Sequence, residues 1–297
     1  MKNNKILTLY FLVATLYLVG CTDEILKSNY DYVPDASKLP KVTLSIRTIG
    51  GAAVTCTGNA VFGSDTTIIE RGFVCSTDAE FKAGFISAVS DENIFSGFVK
   101  GLNQQTDYFA KAYVITRNGI AYSGLQTFKT RKLVNILDVN VDNLKDYSDL
   151  FSFIDKDGDK YGWELADYNE EKTQTCFVSY SWYNNKVLTP ENYLLFPPFT
   201  FSSTVTHPQL TVSLEVGDEN YPAEVFKIIA SDKPITLANS SQATELYKGT
   251  LTKEGIVKTV FLPESLVGKT AYLGICHFDC TDNFALIYTG HKIVVSQ

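Results

Sequence analysis

The sequence predicts an all-β protein built as two successive β-sandwiches, and three observations carry that prediction. Aromatic residues are plentiful, with 19 Phe and 17 Tyr against a single Met, a balance that suits half-buried strands better than helices. Apolar residues recur in short alternating runs broken by turn residues, with no long helical period between them. At 297 residues the chain is also long enough for two domains, each burying its own core.

The first set of runs falls within residues 41–131. Val42, Leu44 and Ile46 alternate, Val54, Cys56 and Gly58 continue in a second run, and residues 72–75 and 108–114 read as later strands. Asn118-Gly119, between two apolar runs, is a hairpin signal, because both central positions of a type I′ turn want positive φ. About seven short strands in about 90 residues is the spacing of an immunoglobulin-like sandwich. The second set, residues 132–297, opens with a short helix-like piece. Strand candidates follow at 177–183, 193–196, 210–216, 225–230, 257–261, 271–276 and 284–288. A larger sandwich of jelly-roll type accommodates them.

Ahead of both stand Lys2 and Lys5, then a stretch to Gly20 whose only polar side chains are Thr8, Thr15, Tyr10 and Tyr17. Residues 1–20 therefore read as a signal peptide. The apolar run is too short to span a bilayer. Leu18-Val19-Gly20-Cys21 resembles the lipobox of bacterial lipoproteins, which implies that Cys21 is diacylated and becomes the new N-terminus; two acyl chains suffice for stable anchoring. Residues 21–40, polar and carrying Pro34 and Pro40, read as the lipidated Cys and a tether. Thr22-Asp23-Glu24 is similar to the acidic export signal of Bacteroidetes lipoproteins, which implies an outer-membrane lipoprotein exposed at the cell surface and touching the membrane through its lipid only. A formal charge of −7 without clustered Lys or Arg argues against nucleic acid as a partner.

Residues 70–76 (Glu-Arg-Gly-Phe-Val-Cys-Ser), residues 101–109 with Leu102 and Tyr108, and Phe128-Lys129-Thr130 resemble the fibronectin type III-like modules of Bacteroidetes lipoproteins, which implies a spacer or generic binding surface. The second set resembles the cleaved adhesin, or choice-of-anchor J, family. The likeness rests on Asp155-Lys156-Asp157-Gly158-Asp159-Lys160-Tyr161-Gly162-Trp163, Ser179-Tyr180-Ser181-Trp182, residues 188–194 with Pro197-Pro198, residues 221–228, and Cys276-His277-Phe278-Asp279-Cys280-Thr281-Asp282, in that order. Two departures stand out: Tyr288-Thr289-Gly290-His291 replaces an acidic pair, and Val225 replaces a common His.

Asp155, Asp157 and Asp159 put three carboxylates into a Gly-containing turn, the hard oxygen cluster that Ca²⁺ prefers. Lys160 and Ala166 stand where an EF-hand needs Gly and Glu. Alone, the turn reads equally well as a solvated acidic loop; the resemblance implies a structural calcium. Tyr180, Trp182 and Tyr183 are candidate glycan-stacking residues, with Trp163 and most other aromatics assigned to the core; period-two alternation places Tyr180 and Trp182 on one face and Tyr183 on the other. Cys276, His277 and Cys280 lack the second ligand pair of a known zinc motif, and a structural hydrogen bond from His277 to Asp282 is expected. Cys56 and Cys75 read either as a disulfide or as buried thiols. No Gly-x-Ser-x-Gly or His-Glu-x-x-His occurs, and Pro263 removes the first glycine from the phosphate-loop-like Gly268-Lys269-Thr270.

The expected function is accordingly a non-enzymatic surface lipoprotein that adheres to, or binds, a glycan or a host or envelope protein, with calcium supporting the fold. The alternatives are a structural accessory subunit of an envelope complex or fibre and, less favoured, a polysaccharide-acting enzyme.

Overall fold

The computed structural model describes residues 35–63, 67–82, 84–90 and 95–297. The signal peptide, Cys21 and most of the tether lie outside the described residues. Among the described residues the fold is all-β, as the composition and the alternating runs predict, with one short α-helix, α1 (Leu144–Tyr147).

The first sandwich contains β1 (Lys41–Ile49), β2 (Ala53–Val61), β3 (Ile68–Ser76), β4 (Ile86–Val89), β5 (Ser96–Lys100), β6 (Asp107–Thr116), β7 (Gly119–Tyr122) and β8 (Gln126–Lys129). One sheet has the order β1-β2-β5; the other is β4-β3-β6-β7, with β8 also paired to β6. Alternation does what it predicts: Val42, Leu44, Val54 and Cys56 point inward against Phe73, Ala110, Ala112 and Val114. Cys56 and Cys75 are both free and buried, so the thiol reading holds. The β6–β7 hairpin forms, but Thr116 pairs with Gly119. The turn is therefore Arg117-Asn118, and only Gly119 takes a positive φ there.

The second sandwich begins at β9 (Leu133–Asn140) and, after α1, continues with β10 (Ser152–Asp155), β11 (Glu164–Asp167), β12 (Thr175–Tyr180), β13 (Trp182–Tyr183), β14 (Lys186–Val187), β15 (Glu191–Leu195) and β16 (Phe199–Thr200). The remaining strands are β17 (Thr206–Val216), β18 (Val225–Ser231), β19 (Thr244–Thr250), β20 (Ile256–Phe261), β21 (Thr270–Phe278) and β22 (Ala285–Ser296). Two antiparallel sheets, β10-β15-β21-β18-β19 and β11-β12-β22-β17-β20, face each other, with β16 added to β21 and β9 to β22. Phe177, Leu210, Leu214, Leu286 and Tyr288 from one meet Leu194, Phe226, Ile228, Leu273 and Ile275 from the other. Strand β22 carries a bulge: Ser213 faces Gly290 while Leu214 faces Tyr288. The bulge shifts its parity, so Leu286, Tyr288, His291 and Ile293 all turn inward. His291 stacks on Phe196 at 4.2 Å and stays neutral, its pKa pushed down to about 3 by burial.

The sandwiches meet around His207. Its Nε2 lies 3.1 Å from Thr55 Oγ1, and its ring stacks on Phe98 of β5 at 4.9 Å. Phe98 also meets Phe261 of β20 edge-on. A short backbone-to-side-chain bond, Gly51 N to Ser296 Oγ at 2.7 Å, adds to the junction.

Candidate ligand groove and metal-binding clusters

The outer face of the β11-β12-β22-β17-β20 sheet is not uniformly polar. Residues that alternate away from the core, Cys176, Val178, Tyr180, Ala285 and Ile287, form a second small apolar cluster with Ala166 and Phe284. Its buried members Cys176, Val178 and Ala285, with Ile287, floor a groove of about 530 Å³ that is also lined by Asp167, Tyr168, Tyr180 and Glu215. A smaller groove of about 340 Å³ continues along the same face, lined by Asp138, Thr211, Ser213, Thr289 and Lys292, and shares Tyr168 and Glu215 with the first. The Tyr168 hydroxyl donates to Glu215 at 3.1 and 3.0 Å, which fixes the ring between the two grooves. Burial raises the Tyr168 pKa, and Glu215 raises it further.

At one end the groove runs into an aromatic edge. Strand β12 stops at Ser181, where Ser181 N and Trp182 N both donate to Phe284 O; the chain then re-enters as the β13–β14 hairpin. Asn184 and Asn185 both have positive φ between the paired Tyr183 and Lys186, the geometry of a type I′ turn. The bend carries Tyr183 back onto Tyr180, rings 4.6 Å apart, with Tyr161 next to Tyr183 at 6.0 Å and Lys186 Nζ 4.4 Å above Tyr161. Trp182 turns instead toward Phe284, 6.2 Å away. Simple alternation across 180–183 is thus wrong, because the strand is broken at Ser181.

The acidic loop follows β10. Asp155 accepts from Gly158 N and Lys160 N, Asp157 from Asp159 N and Glu191 N, and Asp159 from Tyr161 N. Gly158 and Lys160 adopt positive φ. One oxygen from each carboxylate lies within 4.8 Å of the others. Burial raises the Asp157 pKa against those two amide hydrogen bonds, and the charges of Asp159 and Asp155 push it the same way. The loop thus gathers like charges that a cation would relieve, and its all-oxygen donor set fits Ca²⁺.

A third cluster is buried where the chain passes from β21 into the following loop. His277 Nε2 is 2.9 Å from Glu224 Oε2, and His277 Nδ1 is 2.9 Å from Ser179 Oγ. Glu224 Oε1 accepts from Ser181 Oγ at 2.7 Å and Phe284 N at 2.9 Å. These bonds hold the Glu224 carboxyl below the usual range even though burial pushes it up more strongly than any one of them pulls it down.

Residues 144–290 match the family model described as Cleaved Adhesin Domain. The larger groove, the aromatic edge, the acidic loop and the Glu224 cluster all fall within this matched stretch. Among solved structures, the chain is similar to the K3 cleaved adhesin domain of Lys-gingipain from Porphyromonas gingivalis (24% identity, 55% of this chain and 99% of that one, TM-score 0.44). It is also similar to the K1 domain of the same protein (24% identity, 55% and 97%, TM-score 0.41). A further similarity is to carbohydrate-binding modules of the β-sandwich superfamily (13% identity, 86% and 98%, TM-score 0.32). No curated protein matches the chain.

Of the residues singled out in the sequence, Asp155, Asp157 and Asp159 converge in one loop, Tyr180 and Tyr183 meet at a tilted 4.6 Å contact, and Trp182 lies against Phe284, which Tyr180 also touches edge-on. Trp163 is core, its Nε1 donating to Asn192 O. His277 does not pair with Asp282; Glu224 and Ser179 take its two nitrogens, and the exposed Asp282 is engaged through its backbone N–H to Ser181 O. Sequence reasoning missed Tyr168, Glu215 and Glu224. Glu224 is completely buried, yet nothing in Pro222-Ala223-Glu224-Val225 distinguishes it from a surface acid beside a strand. Among the described residues no helix is long and apolar enough to cross a membrane.

Proposed function

We propose that this chain is a non-enzymatic binding protein, held at the outer membrane surface by lipid on Cys21, whose cleaved adhesin segment takes a glycan along its outer sheet face. The observation that carries this reading is the apolar floor of Val178, Ala285 and Ile287, walled by Tyr168 and Tyr180 and rimmed by Asp167 and Glu215. A pyranose presents apolar C–H faces and a belt of hydroxyls. An apolar floor with aromatic walls and a few fixed carboxylates complements both. The Tyr180–Tyr183–Tyr161 cluster extends the aromatic surface past the groove and gives a longer oligosaccharide further contact. The first sandwich acts as spacer, and host or envelope glycoprotein is the expected natural partner.

Calcium on Asp155, Asp157 and Asp159 would offset most of the carboxylate repulsion in the loop between β10 and β11. Asp157 reaches the backbone of Glu191 and Asp159 that of Tyr161, so ordering this loop steadies the start of β15 and the outermost aromatic of the edge.

The test is a glycan array on the purified protein, followed by calorimetric titration of the best oligosaccharide against wild type, Tyr168→Ala and Tyr180→Ala. Loss of at least about tenfold in affinity in each variant, with the melting temperature of Tyr168→Ala unchanged, is the expected result; stacking residues at the centre of a site typically contribute more than 1 kcal/mol. Equal binding by wild type and both variants would place the ligand elsewhere.

A further inference from the structure

We propose that Glu224, His277 and Cys280 form a site for a divalent zinc-like cation, separate from the acidic loop. Glu224 precedes β18, His277 lies in β21 and Cys280 in the loop after it, and the fold brings their donor atoms into mutual contact. His277 Nε2 stands 2.9 Å from Glu224 Oε2, Cys280 Sγ 3.1 Å from His277 Nε2, and Cys280 Sγ 3.3 Å from Glu224 Oε2.

The triangle has the right size. Three atoms at these separations lie on a circle of about 1.8 Å radius, so an ion bonded at about 2.0–2.3 Å sits about 1 Å above their plane. Widening the triangle by a few tenths of an ångström gives tetrahedral angles. Three protein ligands then leave a fourth position for water, the pattern of open zinc sites.

The charge also fits. A carboxylate, a thiolate and a neutral imidazole carry −2 together, which a divalent ion cancels, so the loaded cluster is neutral in a buried setting where net charge is costly. Binding replaces the Cys280 S–H bond by a sulfur–metal bond and releases the proton to solvent. Mixed sulfur, nitrogen and oxygen donors select Zn²⁺ over Ca²⁺ or Mg²⁺.

The remote atoms of two ligands are anchored as metal ligands usually are. Ser179 Oγ holds His277 Nδ1, which orients the ring, and Ser181 Oγ and Phe284 N hold Glu224 Oε1. Cys280 is half-buried while Glu224 and His277 are fully buried, so the thiol side is the way in. Cys276 takes no part: it faces Tyr193 and Ile229 on the other side of β21, which is why the Cys276–Cys280 spacing carries no zinc signature.

The experiment is titration of chelator-treated protein with Co²⁺, followed by competition with Zn²⁺. One equivalent of Co²⁺ giving a thiolate-to-cobalt charge-transfer band, bleached by Zn²⁺, is expected. Cys280→Ser should lose the band while remaining folded, Glu224→Gln should weaken binding at least about tenfold, and Asp157→Ala should keep the band. Absence of a stoichiometric band, or a band that survives Cys280→Ser, overturns the proposal. If Glu224→Gln fails to fold, peptide mapping of Cys280 alkylation in wild type decides: Zn²⁺ should protect that thiol, and equal labelling with and without Zn²⁺ would refute the site.

Discussion

Tyr168 donates its hydroxyl to both carboxylate oxygens of Glu215, and the pair stands where the two grooves of the outer sheet face join. Tyr168 lies on the connection after β11 and is exposed, so without Glu215 its ring would sample other rotamers in water. A ring fixed before binding avoids the entropy of ordering it on the ligand.

Glu215→Ala is therefore expected to weaken oligosaccharide binding about five- to tenfold, mostly through loss of pre-organisation, while changing stability by no more than about 0.5 kcal/mol, as for other exposed polar pairs. Titration calorimetry read alongside thermal unfolding separates the two effects. If binding falls only in parallel with the melting temperature, the pair is structural and does not prepare the groove.

The acidic loop makes a separate forecast. A ligand that binds only the folded state at about 100 times its dissociation constant stabilises by about 2.7 kcal/mol, which for a sandwich the size of the second one raises its Tm by about 5–10 °C. Ca²⁺ should produce such a shift against chelator, and Asp157→Ala should abolish it. An identical Tm with and without Ca²⁺ would mean that amide hydrogen bonds to Asp155, Asp157 and Asp159 are enough to hold the loop.

Those three aspartates were legible because they are adjacent in sequence, and the alternating strands of both cores because burial of one face imposes period two. The rest depended on long-range pairing. Strands β10, β11 and β19 are largely exposed, so their sequences carry little alternation to read. Tyr168 and Glu215 are 47 positions apart, and Glu224 and His277 are 53 apart; no local pattern announces such pairs. The β13–β14 turn was readable in principle, since Asn tolerates the left-handed region, but Asn184-Asn185 is a weaker signal than Asn118-Gly119. The more conspicuous dipeptide marked a hairpin whose turn sits one residue earlier.

The bulge in β22 depends on one glycine. Gly290 has φ 153°, and a Cβ there would lie 2.2 Å from Val139 O and 2.9 Å from Asn140 Cα, both in the backbone of the neighbouring β9. Neither can retreat without breaking the β9–β22 ladder. Gly290→Ala is expected to cost about 2–4 kcal/mol, the range of strained or overpacked buried positions, and urea denaturation measures it. A cost below about 1 kcal/mol would show that β9 can shift away, and that the bulge does not fix the inward turn of His291.

His207 sets the pH response of the junction between the sandwiches. Its ring is buried against Phe98, and burial, with a smaller effect from Arg131, pushes its pKa from 6.5 down to about 4. Glu264, 3.6 Å from Nε2, is the acid that faces it. Above about pH 6.5 the ring is neutral both folded and unfolded and pH has no effect through it. As pH falls below that value the unfolded chain takes up the proton first, so stability is lost progressively until the folded ring also protonates near pH 4. The loss is at most about 3 kcal/mol. His207→Asn, whose side chain tolerates the positive φ of this position, should be less stable than wild type at pH 7 by about 1–2 kcal/mol, through loss of the stack and the Thr55 hydrogen bond. The gap should close and then reverse as pH is lowered toward 4.5, because only the wild type carries this proton-linked loss, which by then exceeds the gap at pH 7, whereas the buried His291 contributes equally to both. Urea denaturation across that range reads the difference directly, and a gap that stays constant would show that His207 is not what makes the junction sensitive to acid.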